Sequence, residues 1–405
     1  MQHIGTARRA LAALGAAALT LSLAGPSAAA PGAGDGSAWR SPVRPSPATI
    51  AALESAARNA AVGKVGAAAH PQVVVRGLNN PRQLDRGPGG GLYIAEAGRG
   101  GDTCFGEGEE EFCLGETGAV SFVGRPGQAT DTEPRRINTG HLSAAGPDGT
   151  FALGATGVAK FGAKSGRFHS VFNFAPPDLV PEPLPGEQLG KLVRGTWANR
   201  QHIVADIAAY EFENNPDGEG VDSNPYAVLD LGGRLLVADA GADTVYSVDK
   251  DTGEVSVFAV IDTSSEGRDP VPTSLARGPH RTILVGTLGA GFAPGAAEVR
   301  VYKRRTGELV DTVGGFTTVV GVAYDKRHDD LYVSELFAGE DPEAIPGALT
   351  KVAADGERQT VPVPVPGGVA VNRKGIVFVA AWSIGTEDGT FGIPDSSGQV
   401  WRMRF

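Results

Sequence analysis

The sequence predicts an all-β fold, and three observations carry that prediction. From Val73 onward, short runs of β-branched and aromatic residues alternate with Gly, Asp, Asn and Pro, and no long helical periodicity interrupts them. These runs recur as a unit. The composition, with 58 Gly and 28 Pro among 405 residues, suits many turns between short strands.

The unit is clearest in its second strand. Leu92-Tyr93-Ile94-Ala95-Glu96, Leu235-Leu236-Val237-Ala238-Asp239, Ile283-Leu284-Val285-Gly286-Thr287, Leu331-Tyr332-Val333-Ser334-Glu335 and Ile376-Val377-Phe378-Val379-Ala380 are copies, and Phe168-His169-Ser170-Val171-Phe172 is a degraded one. About six units follow one another at roughly 45 to 75 residues, the period of four-stranded propeller blades. The expected architecture is therefore a six-bladed β-propeller over residues 71–405. The chain ends support closure. Gln399 to Phe405 reads as the third strand of the last unit, and Val73 to Arg76 reads as an orphan fourth strand. Pairing them removes two exposed edges.

Ahead of the repeats, Arg8 and Arg9 precede an apolar stretch from Ala10 to Ala24, and Ser27-Ala28-Ala29 offers small residues for cleavage. Residues 1–29 are read as a signal peptide on the general secretory route and residues 30–70 as a flexible Ala/Pro/Gly-rich leader, with a weak helical pattern over Thr49 to Ala61. The apolar stretch is short for a membrane anchor. Cys104 and Cys113 lie in one loop without metal-ligand spacing, and in an exported protein they are expected to form a disulfide. A formal net charge of −10 disfavours nucleic-acid binding and leaves cationic ligands or metal ions open. A secreted monomer is expected, free of membrane once the signal is cleaved.

The site is expected where the long loops gather. Segments after the second strands (Gly98 to Thr117, Asn173 to Gly190, Gly289 to Ala296, Phe337 to Gly347, Ser383 to Gly398) and between blades (Thr139 to Thr156, Ile207 to Ser223) share one face, and short turns occupy the other. Glu96, Asp239 and Glu335 end second strands in three blades, and Asn80 and Asn224, each before a proline, begin inner strands at the same face. Such oxygen donors suit Ca²⁺ or another divalent metal. The same residues at strand ends also cap turns, and a repeat copies them without function. Asp206, Glu211, Glu213, Asp217, Glu219 and Asp222 form a second acidic segment without EF-hand spacing, read as a solvated loop. Arg99, Asp102 and Asp222 are the ligand-binding candidates. No GxSxG elbow, HExxH or phosphate-cradling loop is present. His169 is read as a packed strand residue, and His141, His202, His280 and His328 as turn or surface residues.

Several motifs resemble the ScyD/ScyE family. They include Gly77-Leu78-Asn79-Asn80-Pro81-Arg82, Tyr93 to Asp102, Gly115 to Val120, Asn214-Asn215-Pro216-Asp217-Gly218, Val221 to Tyr226, Leu235 to Gly241, Pro272 to Pro279 and Pro366 to Val371. The likeness spans about Val73 to Phe405. It implies an exported six-bladed, NHL-like propeller and brings no catalytic residues with it. The first blade departs from the family's Gly-Leu-Ala-Phe type of inner strand with Gln83-Leu84-Asp85-Arg86. The second blade departs with Arg167-Phe168-His169-Ser170, which predicts an irregular blade. In the wider class, lactonase-type propellers hold a metal with Glu, Asn and Asp, and Glu96, Asn80, Asn224 and Asp239 resemble that set in type.

Three functions remain open on sequence. The first is a ligand-binding or accessory propeller taking a small molecule or protein on the long-loop face. The second is a divalent-metal-dependent lactonase or ester hydrolase. The third is a quinone-linked sugar oxidoreductase, for which no cluster of His and Arg is visible.

Overall fold

The computed structural model describes residues 51, 71–108, 111–162, 166–173, 180–262, 269–338 and 347–405. The signal peptide, the leader and most of the Thr49 to Ala61 segment lie outside the described residues.

Strand β1 (Gln72–Leu78) opens the described fold. Blade 1 holds β2 (Pro81–Arg86), β3 (Leu92–Glu96), β4 (Thr103–Phe105), β5 (Phe112–Val123) and β6 (Arg135–Ala145). Blade 2 holds β7 (Ala155–Lys160), β8 (Arg167–Phe172), β9 (Lys191–Thr196) and β10 (Gln201–Asp206). Helix α1 (Ile207–Asn214) leads into blade 3, made of β11 (Pro225–Asp230), β12 (Arg234–Asp239), β13 (Thr244–Asp249) and β14 (Val255–Val260). Blade 4 holds β15 (Pro272–Arg277), β16 (Thr282–Thr287), β17 (Ala297–Lys303) and β18 (Leu309–Phe316). Blade 5 holds β19 (Val319–Asp325), β20 (Asp330–Glu335), β21 (Ala348–Val352) and β22 (Arg358–Pro362). Blade 6 holds β23 (Val369–Val371), β24 (Val377–Ala381) and β25 (Gly398–Met403).

Within each blade the strands pair antiparallel in chain order, apart from β4, which pairs only with the start of β5. Each inner strand packs on the next, and β23 meets β2 to complete the ring. The fold is thus a six-bladed propeller with all six second strands where the repeats place them.

The N-terminal strand supplies the fourth strand of blade 6. β1 pairs antiparallel with β25, with Val73 opposite Trp401 and Arg76 opposite Gln399. Val74, Val75 and Leu78 are fully buried in a cluster that joins blade 6 to blade 1 through Leu84, Ile94 and Phe378. At about 1.5–3 kcal/mol for each buried side chain, this strand is a major part of closure.

Two expectations are corrected. Blade 2 is regular, with Phe168 and Val171 buried and four paired strands. The segment Ile207 to Ser223 is not all loop. Asp206 caps α1 by accepting the Ala209 N–H at 3.0 Å, an N-cap signal that was readable in the sequence.

Neighbouring blades are also stitched by side chains at their inner edges. The Thr156 hydroxyl donates to the Pro225 carbonyl (3.0 Å), Thr273 to Val319 (2.6 Å) and Ser334 to Gly367 (2.6 Å).

Candidate functional site

The three repeated carboxylates do the same job in three blades. Glu96, Asp239 and Glu335 stand opposite Pro81, Pro225 and Val319, at the start of their own inner strands. Glu96 accepts the Asn79 N–H (2.8 Å), Asp239 that of Asn224 (2.5 Å) and Glu335 that of Thr317 (2.7 Å). Each therefore pins the segment that enters its own blade. Glu96 also accepts from the Ser121 hydroxyl (2.5 Å) and pairs with Arg136 (3.0 Å). Asp239 accepts from the Ser223 hydroxyl (2.7 Å) and the Gly241 and Ala242 amides (3.2 and 3.3 Å). Burial pushes the Asp239 carboxyl up to about 7 against the pull of those donors. Burial also raises Glu335, opposed by its bond from Thr317.

Each carboxylate is thus bonded within its own blade. Two oxygens on one calcium lie at most about 5.2 Å apart and usually closer. Among the described residues, the only group of three or more His, Cys, Asp or Glu with ligand atoms within 4.8 Å of one another is Cys104, Glu111 and Cys113, whose cysteines are joined in a disulfide. Glu96, Asp239 and Glu335 do not converge.

The remaining candidates are likewise engaged locally. The Asn80 amide donates to the carbonyls of Gly98 and Gly149, both at 2.8 Å, and its oxygen accepts the Ala152 N–H at 3.1 Å. The Asn224 side-chain oxygen accepts from the Asn173 amide at 2.5 Å. Arg99 pairs with Asp388 (3.0 Å) and Glu387 (3.2 Å) on the loop after β24. Asp102 is exposed. Asp222 accepts its neighbour Ser223 N–H at 2.8 Å, and burial raises its carboxyl. No contact joins Arg99, Asp102 and Asp222 among the described residues. In the acidic segment, Asp206 pairs with Lys191 (2.8 Å), Glu211 accepts from the Tyr246 hydroxyl (2.6 Å) and Asp217 accepts the Glu219 N–H (3.0 Å).

The long loops pack on one another. The loop after β24 folds over blade 1, with Asn80 N–H bonded to the Gly385 carbonyl (2.6 Å), Glu387 N–H to the Asn79 amide oxygen (2.8 Å) and Phe151 N–H to the Ile384 carbonyl (3.2 Å). Phe151, Trp382 and Phe391 adopt left-handed backbone (φ 55°, 55° and 53°), a conformation bulky residues take only where packing forces it. The Cys104–Cys113 disulfide joins directly opposed residues of β4 and β5, so the loop it was expected to brace is an extended hairpin.

The cavity lies at the other end of the channel. A volume of about 380 Å³, open to solvent on one side, lies where the inner strands run into the short turns. Leu84, Leu229, Leu275, Val322 and Val369 form its apolar wall. Its rim takes one residue from the same position of each inner strand: Arg86, Lys160, Asp230, Arg277, Tyr324 and Val371. Gln83 stands three residues before Arg86 on β2 and crosses the channel. Its amide donates to the carbonyls of Thr273 (3.0 Å) and Val320 (2.8 Å), on blades 4 and 5. The other inner strands carry Gly157, Ala227, Ser274, Gly321 and Gly368 at this level. Room for Gln83 depends on them: a Cβ on Gly368 would stand 2.6 Å from the Gln83 amide oxygen.

No motif points directly to this cavity. The usable signal was the departure of blade 1 from the small–aliphatic–small pattern of its sister strands, such as Gly157-Val158-Ala159 and Gly321-Val322-Ala323.

Among the described residues, one histidine pairs with an acid: His328 meets the Asp325 carboxylate at 2.6 Å at the protein surface, away from the channel. His169 is fully buried beside Phe161 (5.1 Å) with no partner on either ring nitrogen among the described residues, and burial lowers it to about 3. His141, expected at a turn or surface, is buried against Phe172 (5.0 Å), bonds Gln201 (3.0 Å) and is lowered to about 4 by burial. His202, His280 and His328 are exposed.

No protein-family model matches the chain, and no curated protein matches it. Among solved structures, it is similar to a calcium-binding protein, regucalcin, from Agrobacterium tumefaciens, at 13% identity over 82% of this chain and 94% of that one, with a TM-score of 0.48. A structural genomics protein of unknown function from Bacteroides thetaiotaomicron is similar at 11% identity over 83% and 76%, with a TM-score of 0.48. The hydrazine synthase of Kuenenia stuttgartiensis is similar at 13% identity over 81% and 87%, with a TM-score of 0.42. These scores carry no argument about function, and the propeller assignment rests on the sheet topology described above.

Proposed function

We propose that the chain is an exported ligand-binding propeller of the ScyD/ScyE type whose ligand site is the central channel. The observation that carries this reading is the cavity of about 380 Å³, with apolar walls and a polar rim, the general form of a small-molecule pocket. It favours the short-turn mouth over the long-loop face. Export is supported by the N-terminal signal pattern together with the disulfide. Binding is preferred to metal-dependent hydrolysis because Glu96, Asp239 and Glu335 are committed to backbone N–H groups of separate blades.

The test uses the neutral fluorescent probe N-phenyl-1-naphthylamine. Saturable enhancement with one probe per chain is expected, and Val371→Trp, which enlarges a partly exposed rim residue, should abolish it without changing the melting temperature. Enhancement that persists in the blocked variant refutes the channel as the site.

A further inference from the structure

We infer that the short-turn mouth of the channel is an anion-recognition site for a small amphiphile, with a single carboxylate- or sulfonate-type head held by Arg86, Lys160 and Arg277 and an apolar body lodged below Gln83. The inference rests on the channel reading above and adds the charge class of the ligand.

The first argument is charge placement. The whole chain is acidic, at −10, yet three of the six inner strands end in a cation at this rim. Arg373 adds a fourth positive charge close enough to act on Arg86. The two acids of the lining are already satisfied by donors. Asp85 accepts the backbone N–H groups of Arg86 (2.6 Å) and Lys160 (2.7 Å). Asp230 accepts from Gly232 N–H (2.7 Å) and the Lys250 ammonium (2.5 Å). In contrast, the side chains of Arg86 and Lys160 make no hydrogen bond or ion pair among the described residues, although both are partly buried. Partial burial costs Arg86 hydration and Arg373 repels it, and the one opposing charge acting on it, the buried Asp85 carboxylate, gives its hydrogen bonds to backbone N–H groups. An anion at the rim relieves both costs and gains charge-assisted hydrogen bonds from the unbonded Arg86 and Lys160 side chains. Arg277 spends one guanidinium nitrogen on the Asp230 carbonyl (2.6 Å), which fixes the group at the rim and leaves other donors for a ligand.

The second argument is the shape beneath the cations. Leu84, Leu229, Leu275 and Val322 offer only hydrocarbon below the rim, and Gln83 spends both amide hydrogens on Thr273 and Val320. A fully hydrated inorganic anion would leave that space without a partner, whereas an apolar body fills it. The unusual run Gln83-Leu84-Asp85-Arg86 thereby acquires a common purpose. Gln83 closes the channel above, Leu84 lines it, Asp85 anchors the Arg86 and Lys160 backbones, and Arg86 faces the ligand head.

A matched pair of probes tests the charge class. 1-Anilinonaphthalene-8-sulfonate has the same aromatic body as N-phenyl-1-naphthylamine plus one sulfonate. The anion should bind at least about tenfold more tightly, a difference of about 1.4 kcal/mol. Arg86→Gln with Lys160→Gln should bring the two affinities within about twofold while leaving the neutral probe unchanged. Raising salt from about 20 to about 300 mM should weaken only the anion. Arg86→Glu is the second variant, and its melting temperature together with neutral-probe binding confirms that the fold is intact. Equal affinities in the wild type, or anion binding unmoved by both variants, overturns the anion inference and leaves the channel reading standing. Binding of neither probe, or binding that Val371→Trp does not block, overturns both.

Discussion

Gln83 offers the sharpest test of how the ring is held. Its two amide hydrogens bond backbone carbonyls on blades 4 and 5 from a strand of blade 1, so one side chain ties three blades across the channel. Each such bond is worth about 0.5–1.5 kcal/mol net. Gln83→Ala should then cost about 1–3 kcal/mol, toward the lower end because the side chain is only partly buried and water can reach the vacated carbonyls. Gln83→Glu should cost more at pH 7, since it sets a carboxylate against two carbonyl oxygens. Its folded pKa must then lie above the unfolded value near 4.3, so the cost is smallest at low pH and grows as pH rises through the folded value. Urea unfolding of the three proteins at pH 7 and pH 5 reads both effects. If alanine lies within about 0.3 kcal/mol of wild type, or glutamate equals alanine at pH 7 with no pH dependence, the stitch is not structural and the reasoning fails.

Removing residues 72–78 deletes the fourth strand of blade 6 and the buried side chains of Val74, Val75 and Leu78, at about 1.5–3 kcal/mol each. The product should aggregate or be cut rapidly by protease, and an unchanged melting temperature would count against strand closure. Replacing Cys104 and Cys113 by serine opens a short hairpin and should cost at most about 2–3 kcal/mol, with most of the loss local, as hydrogen exchange confined to 98–117 would report. His169 has a folded value near 3 against 6.5 for the free group, so the stability of its neutral burial is complete above pH 6.5 and is lost as pH falls toward 3. Across pH 6.5 to 4.5 the loss is about 2 kcal/mol, and His169→Leu should flatten that part of the urea-midpoint profile relative to wild type. Glu96→Gln weakens the bond to Asn79 and the Arg136 pair and should destabilise by about 1–3 kcal/mol, whereas millimolar calcium should shift wild type and variant equally; a calcium effect confined to wild type would restore a metal at Glu96.

The ring was legible in the sequence because its signals are local and repeated. Each second strand is an uninterrupted apolar run, and even Phe168-His169-Ser170-Val171-Phe172, with a histidine in the middle, kept enough buried apolar surface to form β8. Ring closure was readable for the same reason, since Val73 to Val75 is an apolar run with no partner nearby in sequence. The role of the repeated carboxylates was not readable. Pseudo-symmetry places Glu96, Asp239 and Glu335 at one level, but whether equal levels mean shared ligands depends on the distance across the ring and on which donors lie within each blade. Both favour the local bond here, because the segment entering each inner strand presents an N–H to the carboxylate of the next strand.

The channel site was hidden for a different physical reason. A repeat advertises what its copies share, and a ligand that sits on the ring axis must be recognised by what they do not share. Six identical inner strands would present six identical rims, and any one charge repeated around the axis would repel itself. This ring instead carries Arg, Lys, Asp, Arg, Tyr and Val at one level, and a lone glutamine at the level above, among glycines, alanine and serine. That asymmetry gives the axis a closed end, an apolar wall and a positive rim. It rests on single positions that a search for periodicity discards as noise.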